Sequence, residues 1–251
     1  MPSVSPSSLK PGVAHLFFAH PLKLLSAAPS HARWLSLVER QKAERFRQPG
    51  DKERYRATRV LVRGILAGFL GRSPTELTFV EGAHGRPGLE GGTALLDFNA
   101  SRCPSWVALA VTSGVACGVD VEDVSRKADF LGIARAFAPE ELALLEKASV
   151  GERPRLFFAL WTLKEAALKG LGCGLTLSLG ACAFRLEEGR PPEARFTPSV
   201  GDDVGAWSFA QVAPDAKHLL ALAVRSATLP QLVVHGEADT CAAVAAAQST
   251  P

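Results

Sequence analysis

In Gly118-Val119-Asp120-Val121-Glu122 two carboxylates alternate with two valines, a period of two that an extended chain satisfies and a helix does not. A strand there turns Asp120 and Glu122 to one face and both valines to the other. Further along the period changes. In Trp161-Thr162-Leu163-Lys164-Glu165-Ala166-Ala167-Leu168-Lys169, Glu165 and Lys169 stand four apart on a helical pattern, one turn above each other. Any fold that buries the valines and the apolar flank of that helix must also find partners for these charges.

Around these segments the chain alternates between the two periods. A strand is expected at 13–19, followed by helices at about 32–46 and 51–69. Strands follow near 77–80, 95–99 and 107–111, with a Gly/Pro-rich turn at 82–92. The plan then repeats: a strand at 116–121, helices at about 130–137, 139–147 and 154–171, and strands near 181–186, 207–212 and 219–224. Strand, helices and antiparallel strands in each half predict an α+β fold and not a run of βαβ units. Residues 13–115 and 116–226 form the expected halves, with 1–12 and 227–251 as peripheral tails. Within the second tail, 242–248 reads as either helical or disordered.

Composition removes several function classes. The net charge is +3, which demands no nucleic acid. Nine basic residues do crowd positions 40–63, in and between the first two helical segments: Arg40, Lys42, Arg45, Arg47, Lys52, Arg54, Arg56, Arg59 and Arg63. They read either as a solvated face or as a surface for an anionic ligand. Five cysteines with no Cys-x-x-Cys pair predict reduced thiols in the cytoplasm. Six scattered histidines offer no zinc spacing. No apolar run is long enough to span a bilayer, and the N-terminus lacks the basic and apolar regions of a signal peptide.

Each charged group has two readings. Asp120 and Glu122 form either the solvent face of an edge strand or an oxygen-ligand site for Mg²⁺ or Mn²⁺. Glu165 and Lys169 form either a helix salt bridge stabilising by about 0.3–0.5 kcal/mol or part of the same site. The apolar residues Phe157, Phe158, Leu160, Trp161 and Leu168 point to a largely buried helix, whose charges need partners. Gly170, Gly172 and Gly174 follow that helix, so they stop it and do not cradle a phosphate. Arg86, in Gly85-Arg86-Pro87, and Arg102, after Phe98-Asn99-Ala100-Ser101, each carry a fork suited to phosphate. No nucleophile elbow or Ser/His pairing supports a hydrolase.

Gly118–Glu122 and Trp161–Lys169 together resemble the hallmarks of the Sfp-type 4′-phosphopantetheinyl transferases, Gly-[Ile/Val]-Asp-[Ile/Val]-Glu and Trp-[Ser/Thr]-x-Lys-Glu-[Ala/Ser]-x-x-Lys. Gly85-Arg86-Pro87, Arg45-Phe46 and Phe98–Ser101 extend the likeness over about residues 35–225. The resemblance implies a pseudo-twofold duplicated fold, each half a small antiparallel sheet packed with helices. It implies that Asp120, Glu122 and Glu165 ligate Mg²⁺, with Glu165 as base, directly or through water, and Lys169 neutralising or protonating the leaving phosphate. Lys42, Arg54, Arg86, Ser101 and Arg102 would hold coenzyme A. The substrate partner would be an acyl, peptidyl or aryl carrier protein, served by a monomeric enzyme. Arg102 stands where the family usually has His; it stays charged at any working pH and can fork onto a phosphate. A carrier or coenzyme A binding module without catalysis, and a metal-dependent phosphohydrolase, are the competing classes.

Overall fold

The computed structural model describes residues 4–82, 85–91 and 95–249; part of the expected turn at 82–92 and the extreme ends of both tails lie outside them. In chain order the main elements are β1 (Val13–Ala19), α1 (Pro21–Ala27), α2 (Leu37–Glu44), α3 (Pro49–Leu70), β2 (Phe79–Glu81), β3 (Pro87–Leu89), β4 (Asp97–Arg102) and β5 (Val107–Thr112). There follow β6 (Cys117–Asp123), α4 (Phe130–Ala134), α5 (Pro139–Lys147), α6 (Arg153–Leu171), β7 (Cys182–Arg185), β8 (Glu193–Phe196), β9 (Ser208–Asp215), β10 (His218–Val224), β11 (Gln231–His235) and α7 (Glu237–Ala246). The class is α+β. The chain divides into two units: residues up to Val80, Pro87–Gly114 and Gln231 onward make the first, and Glu81–Arg86 with Val115–Pro230 the second.

In the first unit the sheet runs β11-β1-β5-β4. Helix α3 starts at Pro49, where proline's missing N–H costs nothing, and stops at Gly71 in the left-handed conformation. Its apolar stripe (Leu61, Ile65, Phe69) shares one core with Phe17, Leu109 and Val111. The expected helix at 32–46 is shorter than its pattern. Ser36 and Glu39 form a capping box that starts α2 at Leu37.

The expectation of a peripheral 227–251 tail is corrected. Strand β11 pairs parallel with β1, Val13 opposite Gln231 and Phe17 opposite His235, so this sheet is mixed and not purely antiparallel. Val244 of α7 is fully buried, and Gly64 lets it approach α3, since a Cβ there would stand 3.2 Å from Val244. The front tail is also engaged: Val4 packs on the same core.

The second unit has an antiparallel sheet, β6-β10-β9, and a β7-β8 ribbon. Helix α6 begins with Pro154 in its first turn and ends at Gly172, φ +70°. It packs against β6 and β10, with Phe157, Phe158, Leu160 and Leu163 in the unit's core. Lys164 of α6 is wholly buried, yet every donor direction is used. Its Nζ lies 2.5 Å from Glu141 of α5 and donates to the carbonyls of Leu179 and Cys182 at 2.9 and 2.6 Å. Burial pulls this ammonium below its ordinary value, opposed by the charge of Glu141.

Candidate active site

Strand β6 lies at the edge of its sheet and is buried on both faces from Cys117 to Val121. Valines 119 and 121 take one face; Gly118, Asp120 and Glu122 take the other, toward α6. Gly118 is what permits the approach. A Cβ there would come within 2.0 Å of the Ala166 carbonyl oxygen and 2.4 Å of the Gly170 nitrogen. Both are backbone atoms that no rotamer change can move aside. Gly170 plays the matching role on the helix, where a Cβ would strike the Trp207 ring at 2.7 Å.

With strand and helix this close, α6 leaves one half-buried stripe, Trp161, Glu165 and Lys169, at helical spacing of four. Lys169 Nζ donates to Asp120 Oδ1 at 2.6 Å and reaches the Val119 carbonyl at 3.3 Å. Asp120 is only 4% exposed. Glu122 accepts from Trp161, stands 3.6 Å from the guanidinium of Arg126, and is pushed up to about 7, first by burial and then by the charge of Asp120. Glu165 is also raised, by burial first; Lys169 opposes that rise and Asp120 adds to it. The four charged groups therefore act on one another, as the two motifs suggested.

The expected three-carboxylate cage is not formed in this arrangement. Among the described residues no three His, Cys, Asp or Glu side chains stand together as a metal cluster. The carboxylates are drawn to different counter-groups, Asp120 to Lys169 and Glu122 to Trp161 and Arg126. The donor chemistry still fits a hard divalent cation: carboxylate oxygens only, partly desolvated, with the charge of Asp120 raising both glutamates.

The other candidates separate by unit. Arg86 belongs to the second, and its guanidinium donates to the carbonyls of Lys169 (2.7 Å), Gly170 (2.9 Å) and Cys117 (2.9 Å). Lys42, Arg54, Ser101 and Arg102 belong to the first. Lys42 is exposed on α2 and Ser101 buried in β4. Arg54 ion-pairs with Asp51. Arg102 lies on the solvent side of β4, yet burial of its head, and then the like charge of Arg54, pull it below the ordinary arginine value. Two guanidiniums repelling each other are a natural place for an anion. Arg59 and Arg63 are different: both pair with Glu39 and lie over the Phe79 ring. Sequence reasoning missed Trp161 and Arg126 as partners of Glu122; the place of Trp161 one helical turn before Glu165 was the available signal.

A family model described as the 4′-phosphopantetheinyl transferase superfamily matches residues 116–223. The 4′-phosphopantetheinyl transferase HetI of Nostoc sp. is 32% identical over 196 residues, 77% of this chain and 79% of HetI. The 4′-phosphopantetheinyl transferase Sfp of Bacillus subtilis is 30% identical over 156 residues, 62% of this chain and 68% of Sfp. Among solved structures, holo-[acyl-carrier-protein] synthase of Thermotoga maritima aligns with 45% of this chain and 64% of its own length, at 24% identity and a TM-score of 0.36.

Proposed function

This chain belongs to the 4′-phosphopantetheinyl transferase family, and from that premise we propose that it moves 4′-phosphopantetheine from coenzyme A to a serine of an apo carrier protein. The observation that carries the reading is the coupled set Asp120, Glu122, Glu165 and Lys169, built by β6 and α6 within the matched residues. The serine oxygen attacks the β-phosphate of coenzyme A, and 3′,5′-ADP leaves. Glu165 takes the serine proton, directly or through water. Its raised affinity for a proton brings it nearer the working pH, where a general base is most effective. Lys169, oriented by Asp120, meets the charge that develops on the leaving phosphate.

Asp120, Glu122 and Glu165 would hold Mg²⁺, or Mn²⁺. The ion would supply charge neutralisation at the pyrophosphate. Arg54 and Arg102 take phosphate groups of coenzyme A, with Lys42 and Ser101 as further contacts. Among the described residues no helix is long and apolar enough to cross a membrane. Five free cysteines suit a reducing cytoplasm.

The test is incubation with coenzyme A, Mg²⁺ and a panel of apo acyl, peptidyl and aryl carrier proteins, followed by intact mass measurement. A gain of one phosphopantetheine on at least one carrier is expected. No gain on any carrier, with coenzyme A bound but unchanged, would leave a binding module. Coenzyme A cleaved without an acceptor would indicate a phosphohydrolase.

A further inference from the structure

We propose that Arg86 is a positioning residue for this reaction: its guanidinium pins the last turn of α6 to the edge of β6 that faces away from β10, and so holds Lys169 against Asp120. The last carbonyls of a helix lack the usual partner four residues on, and α6 ends at Leu171, so Lys169 and Gly170 fall in that last turn, where the Gly172 N–H also reaches the Lys169 carbonyl at 3.2 Å. A strand at a sheet edge likewise presents carbonyls on its open side. Ala116 gives its carbonyl to Arg225 N beside β10, so the alternation of the ladder turns Cys117 and Val119 outward. Two cations meet those outward carbonyls. Arg86 takes Cys117 at 2.9 Å and Lys169 takes Val119 at 3.3 Å.

Arg86 then reaches the helix as well, through the main-chain carbonyls of Lys169 and Gly170 at 2.7 and 2.9 Å. One planar fork thus joins the strand two residues before Val119 to the helix at the very residue whose side chain binds Asp120. Its positive charge also sits where the helix dipole favours a cation. The ammonium of a lysine is a single point charge, and cannot reproduce a rigid fork spanning two elements. These three donations use three of the guanidinium's five N–H groups on the backbone, at a position where the sequence suggests a phosphate contact.

The proposal rests on the transferase reading, and the experiment separates the two. Arg86→Met and Arg86→Lys are compared with wild type in three measurements. These are steady-state transfer to an accepted carrier, coenzyme A affinity by calorimetry, and amide hydrogen exchange along α6. The expectation is a kcat reduced about 30-fold or more in Arg86→Met, with KM and Kd for coenzyme A within about threefold of wild type. Amides at the C-terminal end of α6 exchange faster, and Arg86→Lys recovers part of kcat. A tenfold or greater weakening of coenzyme A binding, with or without slower turnover, would overturn the proposal and make Arg86 a phosphate ligand. Unchanged turnover and exchange would overturn it as well. If Arg86→Met does not fold, Arg86→Lys decides by the same split. If wild type modifies no carrier, the transferase reading fails, while affinity and exchange still report whether Arg86 holds the helix.

Discussion

Two buried charge clusters, one in each unit, are built on opposite balances. In the first, one carboxylate, Glu39, lies between two guanidiniums, Arg59 and Arg63. Burial alone would raise Glu39, but the two arginines outweigh it and hold the carboxyl below its ordinary value. Arg63 spends its remaining donors on the carbonyls of Pro74 and Leu77. In the second cluster three carboxylates lie near Lys169, with Arg126 beside Glu122, and the balance tips the other way: Glu122 is pushed up to about 7 and Glu165 is raised. A cluster that exists to join α2 to α3 closes its charges internally. One that leaves excess negative charge in a half-buried place has an affinity to spare for a proton or a cation.

The contrast can be broken at its foundation first. Gly118→Ala puts a methyl into the α6 backbone, and the expected cost exceeds about 4 kcal/mol. Chemical denaturation should show the second unit unfolded or strongly weakened. Glu39→Gln comes next. It leaves two guanidiniums facing each other in a buried place, at a cost of about 3–5 kcal/mol, read as a lower denaturation midpoint with no specific effect on coenzyme A affinity. Glu165→Gln should reverse that pattern, lowering kcat by about 10²–10⁴-fold with stability unchanged or raised, because it removes a carboxylate that burial disfavours. A large loss of stability there would contradict the assigned balance.

The smallest effect is in pH. Glu122 binds a proton more tightly folded than unfolded, so between its ordinary value and about 7 the folded state carries more protons. The slope of stability with pH is then negative. In metal-free protein this group's contribution is lost as pH rises through that window, by up to about 3 kcal/mol. Glu122→Gln should flatten the curve. Glu39, lowered in the fold, contributes the opposite slope at acid pH, gaining stability as its carboxyl ionises.

Much of the second cluster was legible because its signal is local. The alternation at 118–122 and the spacing of four at 161–169 each fix a face, and the structure brings those faces together. Helix α5, Pro139–Lys147, likewise keeps the limits expected for it. Other features depend on residues far apart in sequence. Strand β11 is placed by pairing with β1, more than two hundred residues earlier, and nothing within its five residues announces a parallel partner. Arg59 and Arg54 look alike in a basic run, yet only the first meets Glu39, across the gap between two helices. Arg86 reads as a phosphate fork by its neighbours in sequence; its observed partners are backbone carbonyls, which no side-chain pattern encodes.

The most direct test of the charge imbalance is the thermal unfolding midpoint at pH 7.5 with and without millimolar Mg²⁺, for wild type, Asp120→Asn and Glu39→Gln. Binding to the folded state alone must raise the midpoint. A Mg²⁺-dependent rise is predicted for wild type, retained in Glu39→Gln and lost in Asp120→Asn. No rise in wild type, or an equal rise in Asp120→Asn, would contradict the account.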